Sequence, residues 1–217
     1  MIDLHTHTIF SDGVLIPSEL IRRAAERGYR AIALTDHADH SNFDFIIPRI
    51  LRVARKLESV TDIRIIAGIE LTHVHPSDIS GLVDESRALG AELIVVHGET
   101  IVEPVLPGTN RAALEAGVDI LAHPGLISGE DTALAAETKV CLEISARKGH
   151  SLTNGHVADL ARRFGARLVL NTDAHGPGDL ISKEMARRVA AGAGLTQDEI
   201  NALFENSEAL CRRIGPS

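Results

Sequence analysis

The chain has 217 residues, 44% hydrophobic and 24% charged, a composition that is typical of a globular domain and excludes a disordered or fibrous chain. Its formal net charge of −8, with no Trp, one Tyr and five Phe, argues against a surface that binds nucleic-acid strands. The sequence contains neither a membrane-length apolar run nor a signal-peptide pattern, so we expect a cytoplasmic protein with no membrane contact.

Seven short apolar segments rich in β-branched residues alternate with segments of helical spacing. The predicted strands cover residues 2–5, 31–35, 63–71, 92–96, 118–122, 140–144 and 167–171. The predicted helices cover residues 17–27, 43–58, 77–89, 111–116, 132–138 and 154–164, followed by 183–191, 197–204 and 207–214. Because strand and helix alternate throughout, we expect an α/β fold with a parallel sheet.

A weak repeat supports this organisation. A glycine that could end a helix precedes a short strand and a histidine in residues 28–37, 90–97, 117–123 and 165–175. Seven βα units in about 200 residues predict a small barrel related to the eight-stranded one, with an open doubly wound sheet as the alternative. No linker or low-complexity segment interrupts the chain, so we predict one domain over residues 1–217. Cys141 and Cys211 lie far apart and outside any CxxC pattern, which predicts core thiols.

Side chains of types that can bind metal ions lie at the carboxyl ends of six of the predicted strands. In a parallel barrel the carboxyl ends of the strands meet on one face. A single histidine there is more often a hydrogen-bonded polar residue than a ligand, but burying many such groups together without a cation would leave them unpaired. We therefore predict a metal cluster. Its candidate ligands are His5, His7, His37, Glu70, His97, His123, Asp173 and His175.

Six motifs carry a resemblance to a known family. They are His5-Thr-His-Thr-Ile-Phe-Ser-Asp12-Gly13, Leu34-Thr-Asp-His37, Gly68-Ile-Glu70, Val96-His97-Gly, Ala122-His123-Pro and Asn171-Thr-Asp173-Ala-His175. In this order, over residues 2–175, they resemble the PHP (polymerase and histidinol phosphatase) family. The resemblance implies a distorted seven-stranded (β/α)7 barrel, TIM-barrel-like, that holds up to three divalent metal ions.

The resemblance also implies how the ligands are shared. The first ion takes His5, His7, Glu70 and Asp173; the second shares Glu70 and adds His97 and His123; the third takes Asp12, His37 and His175. Glu70 is then the bridging carboxylate, whereas Ser-Asp12-Gly is equally typical of an ordinary turn. Two to three ions of Zn, Mn or Fe suit this mixture of imidazole and carboxylate, and the residues do not choose among the metals.

A basic segment follows the sixth predicted strand, the one strand without an assigned ligand. There Arg147 could bind a substrate phosphate through two parallel hydrogen bonds, with Lys148 and His150 as weaker candidates. The alternative is a solvated basic turn. His73 and His75 lie beyond Glu70, and we expect them to face substrate or solvent rather than to ligate.

Two other features near the site have expected roles. Asp36 is expected either to orient a ligand imidazole or to cap the following helix. The long polar segment 98–111 is predicted to be a specificity loop.

The charges of such a site predict its chemistry. Two cations about 3.5 to 4 Å apart activate a water and stabilise an in-line displacement at phosphorus, so we expect a metal hydroxide held by Glu70 and Asp173. The leading hypothesis is a histidinol-phosphatase-like phosphoesterase acting on a small phosphomonoester, without commitment to that substrate. The alternatives are a phosphodiesterase or exonuclease on nucleotides or single-stranded nucleic acid, a non-catalytic metal- or ligand-binding module, and an amidohydrolase-like enzyme. The expected partner is a small phosphorylated substrate, with nucleic acid only as a short substrate; the oligomeric state stays open.

Overall fold

Parallel strands form a nearly closed barrel in the computed structural model, which describes residues 1–214. The strands are β1 (Ile2–Asp3), β2 (Ala31–Leu34), β3 (His37–Ala38), β4 (Arg64–Leu71), β5 (Leu93–His97), β6 (Ile120–Ala122), β7 (Cys141–Ser145) and β8 (Leu168–Asn171). They lie in the order β1-β2-β4-β5-β6-β7-β8, and β3 continues β2 alongside β4 in the same register. The predicted seven-stranded barrel is therefore confirmed, and the open doubly wound alternative is wrong.

The barrel closes between β1 and β8 mainly through side chains. The backbone links there are a parallel bridge between Thr6 and Ala174 and a hydrogen bond from the Val14 amide to the His175 carbonyl at 2.8 Å. The amide of Leu4 donates to Asn171 Oδ1 at 2.9 Å, and Thr172 donates from its amide and hydroxyl to Asp3 at 3.1 and 2.6 Å. Buried polar side chains thus replace a regular strand ladder, which is the distortion in the barrel.

Helices surround the barrel. They are α1 (Pro17–Glu26), α2 (Phe43–Glu58), α3 (Ile79–Ala88), α4 (Thr109–Glu115), α5 (Gly129–Thr138), α6 (Asn154–Phe164), α7 (Lys183–Gly192) and α8 (Gln197–Ile214). The 3₁₀ turns Pro76–Asp78 and His150–Thr153 precede α3 and α6. Gly165 ends α6 at a φ of +77°, as the glycine repeat predicts.

The end of the chain corrects one prediction. The segments 197–204 and 207–214 form the single helix α8 rather than two helices. Asn206 and Ser207, which favour helix ends in a sequence, are satisfied without a break. Asn206 Nδ2 donates to the Leu168 carbonyl at 2.9 Å, and the Ser207 hydroxyl donates to the Leu203 carbonyl at 3.4 Å.

The inside of the barrel is apolar at its amino end. Alternate strand residues point inward, so Ile66 shares a face with Glu70, and Cys141 shares one with Glu143. The inner core consists of Ile2, Leu4, Ala31, Ala33, Ile66, Leu93, Val95, Ile120, Ala122, Cys141 and Val169, together with Leu210 and Cys211 of α8. Helix α8 therefore closes the amino end. Both cysteines are free and buried, as predicted.

Two sequence predictions concern the chain as a whole. Among residues 1–214, no helix has both the length and the apolar character that crossing a membrane requires. The predicted single domain over 1–217 includes residues 215–217, which lie outside the described residues.

Candidate metal centre

All nine side chains predicted as ligands meet at the carboxyl end of the barrel. His5 and His7 follow β1, His37 begins β3, Glu70 lies in β4, His97 ends β5, His123 follows β6, and Asp173 and His175 follow β8. Asp12 comes from the loop between β1 and α1.

Glu70 lies at the centre of this group and is fully buried. Its Oε1 is 3.2 Å from His5 Nε2 and 3.6 Å from His123 Nε2. Its Oε2 is 2.6 Å from His37 Nδ1 and 3.5 Å from His7 Nε2. One carboxylate therefore lies close to four imidazoles delivered by three separate parts of the chain.

Asp173 is the second central carboxylate. Its Oδ1 is 3.1 Å from His7 Nε2 and 3.7 Å from His5 Nε2, while its Oδ2 is 3.9 Å from His123 Nε2. Asp173 and His123 both have left-handed backbones, with φ of +51° and +26°. Residues other than glycine rarely adopt this backbone region because it is strained, and such strain is concentrated at functional sites.

A more exposed group lies at the rim. Asp12 Oδ1 is 3.0 Å from His175 Nε2 and 3.6 Å from His37 Nε2. With His7, these residues can offer four ligand atoms that lie within 4.8 Å of one another. The structure thus brings together Asp12, His37 and His175, which the family resemblance implies as ligands of a third ion, and it places His7 beside them.

The imidazoles opposite this rim form another group. His97, His123 and His150 can offer ring nitrogens within 4.8 Å of one another, and the His123 and His150 rings stack at 4.0 Å. His150 is only 5% exposed and lies at the start of the 3₁₀ turn before α6. The sequence suggested a phosphate contact for His150, whereas the structure places it among potential ligands.

Glu143 is a functional residue that the sequence reasoning missed. It is fully buried in β7, and its Oε1 lies 2.9 Å from His5 Nδ1 and accepts from Asn171 Nδ2 at 2.8 Å. Its Oε2 accepts from the His123 amide at 3.2 Å. By occupying Nδ1, Glu143 directs His5 Nε2 toward Glu70. The only available signal was a glutamate in the otherwise apolar strand Cys141–Ser145.

Asp36 differs from both predicted roles. Its carboxylate accepts from the amide and hydroxyl of Thr8 at 2.7 and 2.8 Å, and from the amide and hydroxyl of Ser11 at 3.1 and 2.9 Å. It neither orients the His37 ring nor caps α2, whose N-cap is Asn42. Asp36 instead holds the loop that carries Asp12, because its donors Thr8 and Ser11 belong to that loop.

The charges in the cluster shift the pKa values strongly. Burial opposes charge on His5, but the carboxylates of Glu70, Glu143 and Asp173 raise its pKa well above the ordinary value. Burial lowers the pKa of His7 to about 3. Burial alone would raise the pKa of Glu70, yet His5 and His37 hold it well below its usual range.

The cluster leaves buried polar atoms unsatisfied. Within residues 1–214, His5 Nε2, His7 Nε2, both oxygens of Glu70 and Asp173 Oδ1 are inaccessible and have no hydrogen-bond partner. Buried polar atoms normally find partners, since leaving one unpaired costs about 1–3 kcal/mol. Imidazole nitrogens and carboxylate oxygens facing one another are the donor set of Zn, Mn or Fe, so the residues present fit such ions.

A pocket of about 220 Å³ opens over the cluster, and its lining includes His73, His97, Glu103, Arg147 and His150. Arg147 donates from Nη1 to the Asp173 carbonyl at 3.1 Å.

The remaining predicted residues lie outward. Half-exposed His73 stands at the pocket mouth, its Nε2 3.8 Å from Glu103 Oε2. Lys148 is exposed and lines a separate neighbouring pocket. His75 is exposed, and its Nδ1 accepts from the Ser77 amide.

Fold and site together define a TIM-barrel-like α/β protein with a residue cluster suited to divalent metal ions. The family model of the PHP domain matches residues 3–165. The chain belongs to the PHP domain family.

Known proteins similar to this chain have different descriptions. An uncharacterized protein of Methanocaldococcus jannaschii is 48% identical, over 98% of this chain and 99% of its own length. Ribonuclease P protein component 3 of Methanosarcina barkeri is 32% identical, over 99% of this chain and 90% of its own. A probable phosphatase of Shewanella sp. (strain MR-4) is 30% identical, over 80% of this chain and 76% of its own.

Solved structures share the fold at low sequence identity. A chain in the cryo-EM structure of archaeal ribonuclease P with mature tRNA has a TM-score of 0.77 and 19% identity, covering 99% of this chain and 91% of that one. Histidinol phosphate phosphatase from Lactococcus lactis, in a crystal structure with zinc, L-histidinol and phosphate, has a TM-score of 0.58 and 17% identity, covering 90% and 94%.

Proposed function

We propose that this protein is a metal-dependent phosphoesterase that hydrolyses a small phosphomonoester. The observation that carries the proposal is the set of buried, unpaired imidazole nitrogens and carboxylate oxygens around Glu70 and Asp173. Two or three divalent ions bound there would acidify a water and stabilise the charge that develops at phosphorus.

The ligands divide among the ions as the family resemblance implies. His5, His7, Glu70 and Asp173 would hold one ion, Glu70 with His97 and His123 would hold a second, and Asp12, His37 and His175 would hold a third. Glu70 suits the bridging role because its carboxylate lies 3.2 Å from His5 Nε2, assigned to the first ion, and 3.6 Å from His123 Nε2, assigned to the second. Glu70 and Asp173 together would orient the attacking water.

Arg147 positions the phosphate. Its guanidinium is about one third exposed at the pocket, with Nε 3.5 Å from Asp173 Oδ2, so it stands beside the cluster without belonging to it. A planar guanidinium binds two phosphoryl oxygens at once. His73 and His150 line the same pocket and add polar contacts, whereas phosphate contact by Lys148 stays a prediction.

Similar proteins support the substrate class. The histidinol phosphate phosphatase that shares the fold was solved with zinc and phosphate, and one relative is described as a probable phosphatase. Both are consistent with a small phosphorylated substrate. Neither selects the monoester over a diester, so a phosphodiesterase or exonuclease remains the enzymatic alternative.

A second candidate function is that of a protein subunit of an RNA-containing assembly. It is favoured by the similarity to ribonuclease P protein component 3 and by the TM-score of 0.77 with a chain of archaeal ribonuclease P. The net charge of −8 opposes general RNA binding. Helix α2 nevertheless carries Arg52, Arg55 and Lys56 on its exposed face, which makes a local cationic surface.

Elemental analysis and a phosphate-release screen distinguish these functions. The screen uses phosphomonoesters, cyclic nucleotides and single-stranded oligonucleotides after Mn or Zn reconstitution, with Glu70→Gln as the inactive variant. We expect more than one ion per chain and turnover of a monoester that Glu70→Gln abolishes. An Arg52→Ala, Arg55→Ala variant should keep that turnover. Bound metal without turnover of any substrate, together with RNA binding lost in the α2 variant, would favour the subunit function.

A further inference from the structure

The loop between β5 and α4, residues 98–108, is fixed at both of its ends. Asn110 Oδ1 accepts from the Glu99 amide at 3.0 Å, and Glu99 Oε1 accepts from the amides of Gly108 and Asn110 at 3.0 and 2.9 Å. Asn110 Nδ2 also donates to the Pro124 carbonyl at 2.9 Å. These reciprocal bonds set the position of the middle of the loop.

The middle of this loop reaches back over the cluster through Glu103. Its Oε2 lies 3.0 Å from His97 Nε2, and its Oε1 lies 3.5 Å from His150 Nε2. The side chain is 38% exposed, so it approaches the imidazoles from the solvent side of the pocket. No sequence motif pointed to this residue.

The same loop also orients one of the imidazoles. The Thr100 hydroxyl lies 2.8 Å from His150 Nδ1, in a buried position. With Nδ1 engaged, the free Nε2 of His150 faces Glu103 and the group formed by His97 and His123. A hydrogen bond to one ring nitrogen commonly fixes the orientation of an imidazole that binds a metal through the other nitrogen.

We propose that Glu103 and His150 are additional ligands of the ion held by His97 and His123, and that Glu103 is displaced when phosphate binds. The inference rests on the proposed metal-dependent function. With the shared Glu70, the donor set would be three imidazoles and two carboxylates, and zinc accepts four or five such donors. Both a carboxylate and a phosphate present anionic oxygens, so they compete for the outward-facing ligand position. The loop 98–108 is then a metal-dependent cap over the pocket.

Zinc affinity of the full chain tests the ligand role. Competition with a chromophoric chelator should show that Glu103→Gln weakens the binding of one zinc ion by roughly 10- to 100-fold. The affinities of the other ions should not change. The matched control is Glu130→Gln in α5, whose side chain is 92% exposed, and it should bind zinc like the wild type. If Glu103 only forms an ion pair with His97, Glu103→Gln will bind zinc at least as tightly as the wild type, which overturns the proposal.

Hydrogen exchange of the loop amides tests the cap. Zinc should protect residues 98–108 in the wild type but not in Glu103→Gln, and inorganic phosphate should reverse the protection. If zinc does not change the exchange rates of the loop amides, the loop is not a metal-dependent cap. If phosphate does not reverse the protection, Glu103 is not displaced by phosphate. Neither result contradicts the proposed phosphoesterase function. A wild-type chain that binds no ion after reconstitution overturns the cap and the proposed function together.

Discussion

Two buried carboxylates at opposite ends of the barrel have opposite kinds of partner. Asp119, before β6 at the amino end, accepts from the guanidinium groups of Arg87 and Arg213 and from the Ile94 amide at 2.7 Å. Glu70, at the carboxyl end, faces imidazoles, and both of its oxygens lack hydrogen bonds among the described residues. A fully paired carboxylate stabilises the fold, whereas an under-paired one retains lone pairs for a ligand.

The backbone shows the same division. At the amino end, turns between helix and strand reach positive φ at glycines such as Gly28 and Gly165. Of the four non-glycine residues with positive φ in residues 1–214, three lie at the carboxyl end: His73, His123 and Asp173. Most of the strained non-glycine backbone thus lies where the candidate ligands gather, and the fourth residue, Lys139, precedes β7 at the amino end.

The largest expected effect comes from removing the under-paired charge. Glu70→Gln keeps the shape of the side chain but deprives the ions of their bridge. We expect kcat/KM to fall at least about 10⁴-fold, equivalent to about 5.5 kcal/mol, with loss of bound metal by elemental analysis. The metal-free variant should still fold but melt below the metal-free wild type, because it loses the interaction of the Glu70 charge with His5 and His37. Normal metal content and turnover would contradict the bridging assignment.

Asp119→Asn should have the converse effect. Removing a paired buried charge leaves Arg87 and Arg213 without their acceptor, although both are partly exposed and regain water. We expect the free energy of unfolding to fall by about 3 kcal/mol and the melting temperature by on the order of 10 °C. Metal content should not change. If Asp119→Asn lost metal instead, the two ends would not be independent.

Arg147 tests the substrate side of the carboxyl end. Arg147→Ala should lower kcat/KM by about 1.5 to 3 kcal/mol, with much of the loss in KM, because a charge-assisted contact to phosphate disappears. Arg147→Lys should recover part of the loss, since it restores the charge without the planar fork. Metal content should stay constant. Unchanged kinetics toward a phosphomonoester would show that Arg147 is only a surface residue.

Glu143 tests how far the outer partners of the ligands matter. Glu143→Gln retains the size of the side chain but removes the negative charge beside His5 Nδ1. We expect about a 10- to 100-fold weaker affinity for the ion that His5 holds, measured by chelator competition. Glu137→Gln, an exposed position on α5, is the control. If the two variants bound the metal with equal affinity, Glu143 would have no role in metal binding.

The smallest expected effect is the pH dependence of metal affinity. The pKa of His5 is raised well above its ordinary value by carboxylates, so without metal it holds a proton at neutral pH that an ion must displace. Burial lowers the pKa of His7 to about 3, so His7 has none to release. Metal affinity should therefore rise with pH, about tenfold per pH unit for each proton released, until the pH passes the raised pKa. Calorimetry in buffers of different ionisation enthalpy measures this release, and buffer-independent heats would contradict it.

Much of this architecture could be predicted because its signals are local. The seven apolar segments and the glycines before them specify the strands, and histidines directly after those strands specify where the ligands gather. Glu143 was hidden because one glutamate within an apolar strand does not reveal which way it points. Glu103 was hidden because a loop residue reaches a site only through tertiary anchors, here Glu99 and Asn110.

The closure between β1 and β8 has a consequence for the order of events during synthesis. The bridge from Thr6 to Ala174 joins segments far apart in the chain, so contacts of high sequence separation must form before His5 meets Asp173. A nascent chain cannot assemble that pair until its eighth strand has left the ribosome. An ion bound by both residues would then act as a removable cross-link across the weakest-paired junction, slowing unfolding rather than speeding folding.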